Sequence, residues 1–170
     1  FWEWPGEPSG SPQWGHGSGA SGAVGSALLG LARTSGWNAI GVYRTNVERA
    51  AELTREWEGG PGSLHLHRAD LTEPSEVNAL LEAIPADECP DAIVHLAAPR
   101  IVAGALHRTS WDGYQQQIDG ILKPVVLLTP PLLARMLRRG HGRVIGVLSA
   151  AVFVKDTAAT EIYTTAKYAL

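Results

Sequence analysis

Hydrophobic positions fall into two periods that alternate along the chain from residue 19 onward. Short apolar or alternating runs occupy 38–43, 63–68, 91–96 and 143–148. Between them, apolar residues recur at three- and four-residue spacing over 26–35, 47–58, 75–84 and roughly 111–139, and again from 161 to 170. The first pattern places successive side chains on opposite faces of a strand, and the second gathers them on one face of a helix. Boundary residues agree with this division. Gly36 follows the first helix, Gly59-Gly60 the second, and Asp70-Leu71-Thr72 leads into the third. The runs at 91–96 and 143–148 are apolar enough for burial on both faces, as strands covered by helices above and below require. Strands alternating with helices predict an α/β fold, a doubly wound parallel sheet with helices on both faces. Two stretches resist the pattern. Residues 1–17 mix Trp, Gly and Pro in neither period and read as an irregular arm, leaving 18–170 as the folded domain. In the long helix, Pro124, Pro130 and Pro131 each remove a donor and predict kinks or a restart.

Composition narrows the function classes without choosing one. The chain has 170 residues, 45% hydrophobic and 18% charged, which suits a single globular domain. A net charge of −3 gives no electrostatic case for nucleic acid or an anionic membrane as partner. The single cysteine, Cys89, excludes an internal disulfide and a Cys-based zinc site. His65 and His67 share one strand face but have no carboxylate partner in the pattern, so no metal is expected. No apolar run reaches the roughly 20 residues of a membrane span and no signal peptide is legible, which points to the cytoplasm.

The chemistry starts at Gly19-Ala20-Ser21-Gly22-Ala23-Val24-Gly25, three glycines at i, i+3 and i+6 that open the first helix. The backbone of Gly19, Ser21, Gly22, Ala23, Val24 and Gly25 suits a phosphate, because glycines permit close approach and a helix N-terminus favours negative charge. About 20 residues on, Arg44 and Thr45 close the next strand with no acidic residue over 41–46. An acidic side chain there holds a ribose 2′-hydroxyl, whereas Arg accommodates a 2′-phosphate, so NADP(H) is favoured over NAD. Asp70 and Leu71, and Ala97 and Ala98, follow two further strands, at the ends where open α/β sheets bind ligands. Asp70 suits an adenine amino group, and the two alanines leave room for a flat cofactor. Finally, Ser149 ends the run at 143–148, and Tyr163 and Lys167 stand at i and i+4 on one helix face. An ammonium one turn away favours phenolate and makes Tyr163 a usable proton donor and acceptor, while Ser149 suits a substrate carbonyl.

Taken together, these residues resemble the short-chain dehydrogenase/reductase family from Ser18 through Lys167. The resemblance implies a Rossmann-type fold and hydride transfer between a nicotinamide and a small carbonyl or alcohol substrate. It also implies Tyr163 as the acid/base, Lys167 as a holder of the nicotinamide ribose, and Ser149 as the group that orients substrate. Tyr43-Arg44-Thr45 resembles the NADPH-preferring branch that includes 3-oxoacyl-carrier-protein reductases. The Gly22-Ala23 spacing and His95-Leu96-Ala97-Ala98 lean towards epimerase- or dehydratase-like members, but the short separation of Ser149 and Tyr163 sides with the reductases. Ile121 stands where the family carries an Asn of its proton relay, which leaves a non-catalytic nucleotide-binding or scaffold protein as an alternative. Two departures concern the ends: residues 12–17 do not read as the strand expected before the turn, and the family continues beyond Lys167, so a fragment is expected. The apolar run at 125–128 with Leu132 and Leu133 suits either pairing into a homodimer or homotetramer or burial against the protein's own sheet.

Overall fold

The computed structural model describes residues 13–85, 88–101, 104–153 and 159–170. Strands β1 (Trp14–Ser18), β2 (Asn38–Tyr43), β3 (Leu64–Arg68), β4 (Ala92–His95) and β5 (Arg143–Gly146) form one sheet. They are parallel and lie in the order β3-β2-β1-β4-β5. Helices α1 (Ala23–Thr34), α2 (Val47–Trp57), α3 (Pro74–Ala83), α4 (Trp111–Arg139) and α5 (Glu161–Tyr168) alternate with them. The strand order reverses between β1 and β4, and such a switch point opens a crevice at the carboxyl ends of the strands. One face buries Trp14, Ile40, Val42 and Ile93 against Val77 and Leu80 of α3 and Leu128, Leu132 and Met136 of α4. The other buries Ala20, Leu29, Ala39, Leu53 and Trp57. The Rossmann-type architecture expected from the alternating periods is the one observed, except that β5, expected to be buried on both faces, is an edge strand with Val144, Ile145 and Gly146 exposed.

Residues 14–17 belong to a strand and not to an irregular arm, and residues 1–12 lie outside the described residues. β1 is the central strand, in register with β2 from Trp14↔Asn38 to Ser18↔Val42 and with β4 from Gly15↔Ala92 to Gly17↔Val94. Its glycines have weak strand propensity, but two apolar neighbours supply ladders on both sides, and tertiary pairing overrides propensity. Asp91 fastens the start of the strand, accepting from the Trp14 amide at 2.8 Å and from Arg139 Nη2 of α4 at 2.8 Å.

The three prolines do not restart α4, which runs unbroken from Trp111 to Arg139. Ser110 caps its start by accepting from the Gly113 amide at 3.3 Å, and Gly140 ends it in the left-handed region at φ 86°. Contrary to the expectation from apolar runs, α4 is long and apolar enough to cross a membrane by length and composition. Its buried stripe is Gln117, Ile121, Pro124, Leu128, Leu132 and Met136, while Val126, Leu133 and Leu137 are exposed.

Four histidines, His16, His65, His67 and His95, alternate with residues of the other face on β1, β3 and β4. Among the described residues no group of three His, Cys, Asp or Glu is placed to hold a metal. His16 is buried with neither ring nitrogen hydrogen-bonded, and His95 donates or accepts at Thr129 Oγ1 through Nε2 (2.9 Å) while its Nδ1 has no partner. Burial, with smaller contributions from His95 and His67, pushes His16 down to about 3, and burial pushes His95 down to about 4. Both folded-state values lie below the unfolded value of about 6.5, so the folded protein excludes protons that the unfolded chain takes up. Stability is therefore complete above about pH 6.5 and falls on acidification towards pH 4, by up to about 1.4 kcal/mol per pH unit for each histidine. Denaturant titration between pH 8 and pH 4.5 measures this slope. In His16→Leu the orphaned ring is gone, and the variant is expected to be about 1–3 kcal/mol more stable at neutral pH, with a shallower acid slope.

Candidate cofactor and active site

The glycine turn leaves β1 at the switch point. Gly19 adopts φ 71°, a region costly for other residues, and a Cβ there would lie 3.1 Å from the Ala97 amide nitrogen. Gly22 is the first half-turn of α1, accepting from the Ser26 amide at 2.8 Å, and no acidic residue or side-chain cap occupies the first turn of the helix. The amides of Ala23, Val24 and Gly25 thus stand at a helix N-terminus with no carboxylate neutralising its partial positive charge. Gly25 has a different role from a ligand contact. It is buried, and a Cβ on it would come within 2.2 Å of the Gly19 carbonyl oxygen, so its absence of a side chain lets α1 sit under the turn.

A cavity of about 270 Å³ opens beside this turn. Of the expected cofactor residues, Gly19, Ser21, Gly22, Arg44, Thr45, Asp70, Leu71, Ala97 and Ala98 line it; Ala23, Val24, Gly25, Tyr163 and Lys167 do not. At its far end Arg44 Nη1 lies 3.6 Å from Asp70 Oδ2. Burial pushes the Asp70 carboxyl up, but hydrogen bonds from the Thr72 amide (3.0 Å) and hydroxyl (2.7 Å), with the charges of Arg44 and Lys123, outweigh it and hold the group below its ordinary value. Asp70 is therefore a carboxylate at neutral pH, already bound to its own loop. Tyr43, Thr72, Pro99, Gly120 and Pro124 also line the cavity, and of these only Tyr43 belongs to a motif read from the sequence as cofactor chemistry.

Ser18 is a second residue that the spacing arguments passed over. Its buried hydroxyl accepts from the amides of Leu96 (3.0 Å) and Ala97 (3.1 Å), and so joins the end of β1 to the loop after β4. A hydroxyl residue immediately before the turn was a readable signal, because two strand ends that diverge at a switch point leave amides to be satisfied.

The three expected catalytic residues stand on β5's exit and on α5. Ser149 is half-buried, and its Oγ accepts from the Ala151 amide at 3.2 Å, starting the 3-10 turn Ala150–Val152. Tyr163 and Lys167 are one turn apart on α5. Lys167 is 4% exposed, and its Nζ donates to the Val147 carbonyl at 2.7 Å, two residues before Ser149. Burial holds this ammonium below the ordinary lysine value. One donated hydrogen bond leaves two N–H groups for other acceptors. Ile121 is buried at 2% exposure within the stripe of α4, and an aliphatic side chain there holds no water.

The residues present fit a dinucleotide. The turn has the glycines that close backbone approach demands, the helix N-terminus suits an anion, and the cavity continues from the turn to a guanidinium at the end of β2.

Comparison with known proteins places the chain. The model of the NAD dependent epimerase/dehydratase family matches residues 18–170. The NADP-dependent 3-hydroxy acid dehydrogenase YdfG of Escherichia coli (strain K12) is 28% identical over 105 residues, 61% of this chain and 41% of that protein. The closed form of serine dehydrogenase complexed with NADP+ superposes with a TM-score of 0.82 at 24% identity, over 92% of this chain and 61% of that one. A short-chain dehydrogenase from Streptomyces avermitilis gives 0.84 at 23% identity, over 95% and 57%. The chain spans less than half the length of the curated relative it matches. It belongs to the NAD dependent epimerase/dehydratase family, and with it to the short-chain dehydrogenases/reductases.

Proposed function

We propose that this chain is the NADP(H)-binding part of a reductase that interconverts a carbonyl and an alcohol. The observation that carries the reading is the continuous cavity from the Gly19-Gly22 turn to Arg44; Ser149, Tyr163 and Lys167 stand outside its lining, at the 3-10 turn after β5 and on α5. The bound nicotinamide supplies or accepts the hydride. The amides of the turn and of the α1 N-terminus hold the pyrophosphate, and Arg44 with Thr45 holds the 2′-phosphate. Ser149 Oγ donates to the substrate oxygen, and Tyr163 Oη delivers or removes its proton. Lys167, already fixed by Val147, uses its remaining N–H groups on the ribose. With Ile121 in α4, proton replacement at Tyr163 proceeds without a water held at that position.

Arg44 tests the cofactor choice. A hydrogen-bonded ion pair to phosphate is worth about 1.5–3 kcal/mol, so Arg44→Ala weakens NADP+ binding by roughly 10- to 100-fold and leaves NAD+ binding nearly unchanged. Calorimetric titration with each nucleotide measures both. The reaction class is tested by following NADPH oxidation with a panel of ketones and 3-oxo acids, the latter because a relative is named a 3-hydroxy acid dehydrogenase. Consumption of NADPH with a ketone supports the reading, and its absence with every substrate despite NADP+ binding would favour a binding protein. A nucleotide-sugar epimerase or dehydratase is the second reading, favoured by the family model that matches; it predicts NAD retained through purification. We also assign the exposed apolar residues Val126, Leu133 and Leu137 of α4 to a homodimer or homotetramer contact. Sedimentation of Leu137→Glu against the parent chain tests that assignment.

A further inference from the structure

Two consecutive side chains of α5 grip the backbone on either side of Ser149. Lys167 Nζ donates to the Val147 carbonyl at 2.7 Å, two residues before the serine. Tyr168 Oη donates to the Val152 carbonyl, three residues after it. Between these points the backbone is tightly turned: the Val152 amide donates to the Ser149 carbonyl at 3.1 Å, the Phe153 amide to Ala150 at 3.0 Å, and the Ala151 amide to Ser149 Oγ. Val147 is itself fixed to the sheet, its amide donating to the His95 carbonyl at 3.2 Å. Consecutive helical residues point about 100° apart, so one bond alone leaves α5 able to rotate or slide against the turn, whereas two bonds to separated carbonyls remove both freedoms. Tyr163 rides on the same helix, one turn from Lys167.

We infer that Tyr168 is a positioning residue, whose hydroxyl, acting with Lys167, sets the placement of Ser149 relative to Tyr163. Its ring does not serve the core: Tyr168 is 66% exposed, so the hydroxyl contact and not apolar burial explains its place on α5. The inference rests on the Ser-Tyr-Lys reading above for its catalytic meaning, though the grip on the turn is a property of the chain itself.

Tyr168→Phe keeps the ring and removes the one donor. Two measurements on this variant separate the claims. Amide hydrogen exchange is expected to speed up about ten-fold at Ala151, Val152 and Phe153, with Val147 and the β4 amides unchanged; unchanged exchange across 151–153 overturns the inference whether or not the protein turns over substrate. In ketone reduction, kcat is expected to fall about ten-fold with the KM for NADPH unchanged, and the same substitution in a Ser149→Ala background is expected to have little further effect, because the group it positions is gone. An equal loss in both backgrounds assigns Tyr168 to general helix stability and overturns the positioning role. Faster exchange in Tyr168→Phe, when the parent chain shows no turnover, leaves the clamp standing and sinks the reductase reading alone.

Discussion

Tyr163→Phe is expected to lower carbonyl reduction by about 10²- to 10⁴-fold while leaving the affinity for NADPH unchanged. The range is that of a positioned general acid or base, which is the role the phenol has in the proposed reaction. The substitution removes one oxygen from a half-buried side chain on α5 and leaves the ring in place, so the fold is undisturbed. Lys167 keeps its bond to the Val147 carbonyl, which does not involve Tyr163. Stopped-flow or steady-state NADPH oxidation, paired with nucleotide titration, gives both numbers from one preparation. A variant with parental kcat excludes Tyr163 as the proton donor. A variant that loses nucleotide binding as well places Tyr163 in the cofactor site instead.

Gly25→Ala carries the largest expected effect on stability and on the cofactor site together. The added Cβ would stand 2.2 Å from the Gly19 carbonyl oxygen, 2.9 Å from Ala20 Cα and 3.0 Å from the Ala20 oxygen. All three are backbone atoms, so no side chain rotates away to make room, and either the turn or α1 must shift. Overpacking of this kind costs about 1–3 kcal/mol, at times more, which for a chain of this size lowers the melting temperature by several degrees. The shift also moves the Gly19–Gly22 turn that lines the cavity, so NADP+ affinity is expected to fall with stability. Gly30→Ala is the internal control. Gly30 lies in the same helix, and a Cβ added to it would meet no heavy atom within 4 Å outside its own helix backbone and chain neighbours. Ala there is expected to stabilise by about 0.5–1 kcal/mol through helix propensity. Opposite signs at two glycines of one helix separate steric demand from glycine's flexibility.

What the sequence revealed and what it hid follow from where each signal resides. The strands at 38–43, 64–68, 92–95 and 143–146 and all five helices were legible because their periodicity is local and their caps are adjacent residues. β1 was hidden because Gly15 and Gly17 in Trp14-Gly15-His16-Gly17-Ser18 weaken its strand propensity; β2 and β4, 20 and more residues away, impose its extension. The continuity of α4 was hidden for a related reason, since burial of Pro124, Leu128 and Leu132 outweighs the donors lost to the prolines. In the site, Gly19, Arg44, Asp70, Ala97 and Ala98 were readable from spacing because the fold repeats its strand ends at regular intervals. Ser18 was readable only as a hydroxyl residue before the turn and Pro99 not at all, because their contacts cross from β1 to the loop after β4 or from that loop to Gly120.

We propose that the turn, its helix and Arg44 form one NADP(H) site, which calorimetric titration of the 170-residue chain with NADP+ tests. One-to-one binding is expected, weaker for NAD+, with the preference for NADP+ abolished in Arg44→Ala. No heat and no saturation with either nucleotide, from a chain whose circular dichroism shows it folded, would contradict it.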